Sequence, residues 1–266
     1  MVRRAVVSFA VLALVYGLVA ELAGPLLPRR IWQGTHYVED VELLPRYASL
    51  AEEAVFLVRA EILQGSLVVS GARLLAGVLL GTLAGVALGL AMARARRLEY
   101  LAEPWVAFFR FTPAFALLPL YVLWFGAGEA SKVLLIATAV AIVTQQGAFD
   151  GARAVPPLYL DAAAALGAPP RLVRRRVVLP AALPHLVTSL RIAVALAWVT
   201  LVVAEMIAPE MPSLGYLLTL SSVYPRVPSI VIALATIGAL VLVSDALVLA
   251  AYHRATRWMR RRHDDR

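Results

Sequence analysis

Six stretches of mostly apolar residues, at roughly 5–27, 65–92, 105–125, 131–149, 183–207 and 228–252, occupy most of this 266-residue chain. A helix needs about 20 apolar residues to cross the hydrocarbon core of a bilayer, and each stretch is about that long. In lipid no water satisfies a backbone N–H or C=O, so a spanning segment must bond internally, as a helix does. A soluble alternative fails on composition: 61% of residues are hydrophobic and only 16% charged, with mean hydropathy +0.80. An ordinary soluble domain carries about a quarter charged residues and still leaves much of its surface in water. The expected fold is an all-α integral membrane protein with six transmembrane helices. The apolar stretches fill the chain so fully that 1–266 reads as a single transmembrane domain. Its expected parts are a first helix and amphipathic segment (1–64), a core (65–252) and a basic tail (253–266).

The formal net charge is +8, and the location of that charge decides what it means. With the N-terminus placed in the cytoplasm, inner segments hold Arg3 and Arg4, then Arg94, Arg96 and Arg97, then Arg153, Arg171, Arg174, Arg175 and Arg176. The tail adds Arg254, Arg257, Arg260, Arg261, Arg262 and Arg266. Outer segments hold only Arg29, Arg30, Arg46, Arg59, Lys132 and Arg226. This asymmetry satisfies the positive-inside rule and puts both termini in the cytoplasm. It also accounts for the basic balance without a nucleic-acid partner. The N-terminal run after Arg3 and Arg4 has the look of a signal peptide, but it continues to Leu27 with only Glu21 interrupting. It is read as a retained span.

Between the spans, 46–64 has the pattern of an amphipathic surface helix, with Leu50, Ala54, Leu57 and Val58 on one side and Glu52, Glu53 and Arg59 largely on the other. A short helix is expected over 214–222, between Pro212 and Pro225. The inner segment 150–183 is too long for a turn. Pro156-Pro157 opens a helix at its first turn, Asp161-Ala-Ala-Ala-Ala-Leu continues it, and Gly167 stands where a left-handed cap would end it. Pro169-Pro170 starts a second short helix, which Pro180 is expected to end. The product is a helix–Gly–helix elbow whose first helix bears small side chains that a partner's groove can enclose.

Two further features carry mechanism. Gly77, Gly81, Gly85 and Gly89 repeat at four-residue spacing and form one smooth helical face, which in lipid permits close helix–helix packing or a sliding contact. Polar residues inside spans are costly and often functional. Thr112, Gln145, Gln146, Trp198, Thr200 and Glu205 are candidates to line a path or gate it, or to bond one helix to another. Arg110 either attracts an anion or snorkels to the interface. The four histidines show no metal-ligand spacing. Cysteine is absent, which excludes disulfides and thiol nucleophiles. A phosphate-binding P-loop needs Gly-Lys-Ser/Thr, but the one lysine, Lys132, follows Ser131.

These stretches resemble the permease subunits of type I ABC importers. Asp161-Ala-Ala-x3-Gly167, followed by Val178-Leu-Pro-Ala-Ala-Leu-Pro184, is similar to that family's cytoplasmic "EAA" loop. Pro119-Leu-x3-Trp124-Phe-Gly-x-Gly128-x2-Ser131-Lys132, Leu190-Arg191-Ile-Ala, Ala197-Trp198, Ala204-Glu205-Met206 and Ser70-x2-Arg73 resemble its nitrate, sulfonate and taurine branch. The resemblance runs from about Gly65 to Tyr252. It departs at Asp161, where the family has Glu, and at Ala168-Pro169-Pro170, which lacks the usual Ser or Thr cap.

The resemblance implies a permease in the cell's inner membrane that pairs with a second copy and with two cytoplasmic ATPase subunits. An extracytoplasmic binding protein would deliver the solute, a small polar or anionic species such as a sulfonate, taurine or nitrate. It implies that Asp161, Ala162, Ala163, Gly167 and Ala168 contact the ATPase, and that ATP and Mg are held there, with no cofactor in this chain. Two alternatives remain open at this stage. An ion-gradient-driven secondary transporter would show inverted repeats and interrupted spans, and a membrane enzyme would need a catalytic cluster at a span end.

Overall fold

A computed structural model describes the backbone of residues 2–27, 31–33, 36–38 and 41–256, and the side chains of 11–27, 41–254 and 256. The side chains of Arg3 and Arg4, the outer Arg29 and Arg30, and tail residues 257–266 lie outside the described residues. The chain divides into two compact units, Met1–Val69 with Pro209–Gly238, and Ser70–Ala208 with Ala239–Arg266.

The first unit begins with helix α1 (Val2–Ala23), continued by a 3-10 turn to Leu26. Two three-residue strands follow, β1 (Ile31–Gln33) and β2 (His36–Val38), paired antiparallel with Trp32 opposite Tyr37. This small ribbon is the one addition to an otherwise all-helical fold among the described residues. Helix α2 (Tyr47–Arg59) lies close to α1: the Tyr16 hydroxyl donates to the Pro45 carbonyl at 2.9 Å, and the Tyr47 hydroxyl donates to the Ala13 carbonyl.

The amphipathic helix expected over 46–64 stops at Arg59. Glu61 takes a left-handed backbone, φ 58°, and a new helix starts at Ile62. The Gln64 side-chain amide donates to the Val58 carbonyl at 2.8 Å, which also accepts from the Glu61 N–H at 3.1 Å. Two side chains also exchange expected roles. Val58 is exposed, while Glu53 sits on the stripe of Leu50, Ala54 and Leu57 and accepts from the Ser229 hydroxyl. The short helix after the fifth span is α10 (Leu214–Val223), as its flanking prolines predict. Ser213 caps it by accepting from the Tyr216 N–H at 3.2 Å, and Leu214, Leu217, Leu218 and Ser221 form its buried face.

Helix α3 (Ile62–Arg94) leads into the second unit. There the glycine column lies against α6 (Glu129–Arg153). A Cβ on Gly77 would stand 2.5 Å from Ile136 Cγ2, and one on Gly89 would stand 2.8 Å from Ala148 Cβ. At Gly81, Gly85 and Gly89 backbone carbonyls of Ala137, Ala141 and Gln145 fill the remaining space. Since Gly77 meets Ile136 and Gly89 meets Ala148, the two helices run in the same direction. Helix α9 (Leu179–Ile207) runs the opposite way along α6: Gly147 rests on Ser189 and Gly151 on Ala182. These directions agree with the alternation of spans read from charge.

The third expected span, 105–125, is not one helix. It is α4 (Arg96–Phe111), a 3-10 turn (Ala114–Leu117) and α5 (Leu118–Phe125), with the two arms bent by 99°. Thr112 is extended because the residue before a proline is pushed out of the helical region, and Pro113 offers no N–H to continue the ladder. Among the described residues four helices are therefore long and apolar enough to cross a membrane, five with the bent pair, rather than six. The first expected span is helical as α1, but its described apolar stretch, Val11–Leu26, falls short of a full crossing. Leu118, Leu135 and Ala204 form a fully buried knot where α5, α6 and α9 meet. The last helix, α11 (Val227–Ala255), is apolar, and few of its residues are fully buried.

Candidate functional site: an exposed elbow and a polar cleft

The elbow expected over 150–183 forms as α7 (Pro157–Ala165) and α8 (Pro170–Val173). Gly167 is left-handed, φ 67°. The Ala168 N–H reaches the Ala163 carbonyl at 3.0 Å and the Gly167 N–H reaches Ala164 at 2.9 Å, which together make a Schellman cap. Pro169, extended at ψ 148°, then takes the helix-capping role without a Ser or Thr side chain, and its carbonyl accepts from Leu172 and Val173. Asp161, Ala162 and Gly167 are exposed, and Ala163 and Ala168 half-buried. Leu158, Tyr159 and Leu166 are also exposed around them.

One expectation for the elbow is overturned. Pro180 does not end the second helix. The helical path runs unbroken from Pro170 to Ile207 through a π-helical turn over Arg174–Val178. In that wider turn the Leu179 N–H bonds back five residues to Arg174, a shifted register that leaves room for a residue with no donor.

Near the same end of the second unit, α4, α6 and the first half of α9 enclose an open cleft of about 480 Å³. Its walls are apolar at Ile142, Val143, Pro184 and Ile192, and polar at Arg110, Gln146, Asp150, His185, Thr188 and Ser189. An Arg110 guanidinium nitrogen donates to Gln146 Oε1 at 2.6 Å, and Gln146 Nε2 donates to Asp150 Oδ1 at 2.8 Å. A cation, an amide and a carboxylate thus stand in series. Glu103 is 3.9 Å from Arg110, at the limit of an ion pair, and is no part of the cleft wall. The Thr188 and Ser189 hydroxyls donate to the Pro184 and Leu186 carbonyls of their own helix, so their oxygens keep lone pairs to offer.

Of the six polar candidates in the spans, the cleft includes only Gln146. Thr112 sits at the bend and bonds to the Phe108 carbonyl. Gln145 is buried against Met92 Sδ at 3.2 Å, and its side-chain oxygen has no partner among the described residues. Trp198 donates to Ser244 Oγ at 3.2 Å, and Thr200 bonds to the Leu196 carbonyl of its own helix. Asp150, His185, Thr188 and Ser189 were missed as a group. Their spacing along α9 and across to α6 carries a weak signal, because 185, 188, 189 and 192 share one helical face.

Glu205 belongs to a different structure, at the opposite end of α6. It is fully buried and accepts from Arg73 at 2.9 Å and from the Ser70 hydroxyl at 2.8 and 3.0 Å. Arg73 also forks onto Glu129, with Nε to Oε2 at 2.7 Å. Lys132 is buried as well. Charges removed from water must be paired and hydrogen-bonded, so this cluster ties α3, the start of α6 and the end of α9 together.

Residues 77–261 match the family described as "Binding-protein-dependent transport system inner membrane component". The chain belongs to this family. The permease is 35% identical over 219 residues to the Brucella abortus (strain 2308) protein named "Probable ABC transporter permease protein", covering 82% of this chain and 87% of that one. It is 32% identical over 186 residues to the taurine transport system permease protein TauC of Escherichia coli (strain K12), covering 70% and 67%. In fold it is similar to a solved chain of an amino acid ABC transporter, with TM-score 0.60 at 20% identity, covering 79% of this chain and 99% of that one. The family's description as an inner membrane component matches the multi-pass helical core in kind. A membrane permease subunit needs no catalytic cluster of its own.

Proposed function

We propose that the permease works as one of two identical membrane subunits in an ATP-driven importer of a small polar or anionic solute. The observation that carries this reading is α7. It is a small-residue helix stopped by a left-handed glycine, with Leu158, Tyr159 and Leu166 bare at its surface. Apolar side chains clustered on a projecting helix mark a contact surface, and the cleft of an ATPase subunit would cover them. The chain's one lysine lies outside any P-loop sequence, so ATP and Mg belong to that partner. Movement of the elbow would pass along the unbroken helix Pro170–Ile207, which also forms one wall of the polar cleft.

With both termini in the cytoplasm, the elbow reaches the ATPase and the opposite ends of α6 and α9 face a binding protein. The relative named for taurine supports a sulfonate-like solute. The test is a pull-down of the tagged chain from native membranes, beside Gly167→Val. A β-branched residue cannot hold φ near 67° without strain, and nothing lies within 4 Å of Gly167 to clash with it. The variant should elute intact while an ATPase recovered near stoichiometry with the native chain is lost. Failure to recover any ATPase with the native chain, even after crosslinking, sinks the reading.

A further inference from the structure

The polar cleft carries two opposite charges that are not paired with each other. Arg110 and Asp150 are joined only through the Gln146 side chain, whose oxygen meets the cation and whose nitrogen meets the carboxylate. The orientation of that amide is dictated by charge, since the reverse would oppose like ends. An amide is a neutral dipole. A solute with a full negative charge at one end and a full positive charge at the other would satisfy the same two groups more strongly, because a bond between opposite full charges adds a Coulomb attraction that the amide dipole lacks.

The rest of the cleft has the matching polarity. His185, Thr188 and Ser189 line the same cleft as Asp150; the imidazole ring can offer an acceptor nitrogen, and the two hydroxyl protons are already committed to the Pro184 and Leu186 carbonyls. They therefore present acceptors, which an ammonium group needs. Arg110 presents only donors, which a sulfonate or carboxylate needs. Ile142, Val143, Pro184 and Ile192 offer apolar wall for a short methylene linker. A pocket with apolar walls, a few convergent polar groups and a volume of several hundred Å³ has the usual build of a small-molecule site. A simple dianion fits poorly, since Asp150 would repel it.

We propose that the cleft between α4, α6 and α9 binds a small zwitterion, with its anionic end on Arg110 and its ammonium end among Asp150, Thr188 and Ser189. This rests on the importer reading above and narrows its solute to those carrying both charges.

The test is equilibrium binding to the full-length purified chain in lipid nanodiscs. Two matched pairs serve as probes: taurine with ethanesulfonate, and beta-alanine with propanoate. Each zwitterion should bind about ten- to a hundredfold more tightly than its partner acid, the range one charge-assisted hydrogen bond gives. Asp150→Asn should abolish that preference, and Asp150→Glu should restore part of it. Arg110→Gln should weaken all four probes, with Arg110→Lys intermediate. Equal binding within each pair, no binding of either zwitterion, or a preference that survives Asp150→Asn overturns the proposal. If an ATPase still copurifies with the native chain, only the cleft assignment falls. If none does, the importer reading falls on its own account.

Discussion

Gly81, Gly85 and Gly89 are the residues on which the core of the second unit depends most directly. The atoms that a Cβ would strike at these positions include backbone carbonyls of α6, which cannot rotate away. At Gly77 the nearest atoms belong to the Ile136 side chain, which has some freedom. Gly71 and Gly238 face open space. Alanine at Gly85 or Gly89 should therefore destabilise the detergent-solubilised protein by about 1–3 kcal/mol, the range for overpacking. Alanine at Gly71 or Gly238 should stay within about 0.5 kcal/mol of the native chain. Thermal unfolding followed by tryptophan fluorescence checks the order, and equal losses at all four positions would show that α3 and α6 are not in close contact. Two glycines of α6, Gly147 and Gly151, do the same work on its other side, against α9, and periodicity in the sequence did not bring them forward. Four glycines at regular spacing form an obvious pattern, whereas two glycines show their purpose only once α9 is beside them.

At the scale of elements, the ion cluster decides how three helices meet. Arg73 comes from α3, Glu129 from the first turn of α6 and Glu205 from the last turns of α9. Glu205 is fully buried, while the Glu129 side chain is 57% exposed. Removing one partner of a buried pair leaves the other charge uncompensated, at a cost of about 3–5 kcal/mol. Glu205→Gln should therefore lower thermal stability far more than Glu129→Gln. The double variant Arg73→Met with Glu205→Met should recover much of the loss, since well-packed apolar replacements of buried ion pairs are often neutral. A double variant as unstable as the single one would contradict this. The sequence motifs already contained Arg73 and Glu205, but Glu129 sat at an unremarked position between Gly128 and Ser131. Its role depends on α3 arriving beside the first turn of α6, and no local pattern announces that. The bend at Pro113 and the π turn before Pro180 show the same limit in another form. Each proline was legible as an irregularity, yet whether it breaks, bends or is absorbed depends on what packs around it.

For the whole molecule, the charge asymmetry and the helix directions make one joint prediction. The chain has no cysteine, so single cysteines report sidedness cleanly. Leu166→Cys on the elbow should react with a membrane-impermeant maleimide only after the cells are permeabilised, and Ala127→Cys between α5 and α6 should react in intact spheroplasts. The reverse pattern would invert the topology and put the elbow out of reach of any cytoplasmic ATPase. Much of this architecture was written in local sequence. Apolar length determined that the chain enters a membrane, because lipid leaves a backbone little choice but a helix. Arginine placement determined the expected sidedness, and Gly167 with its flanking prolines determined the elbow, because both depend on a few neighbouring residues. Tertiary structure alone decided that 105–125 is bent rather than a straight span, that Glu53 points inward, and that Arg110, Gln146, Asp150, Thr188 and Ser189 share one cleft. Those residues come from three helices and span 80 positions from first to last. Their proximity is set by how closely glycine-lined helices can approach, a property of surfaces in contact that no single stretch of chain contains.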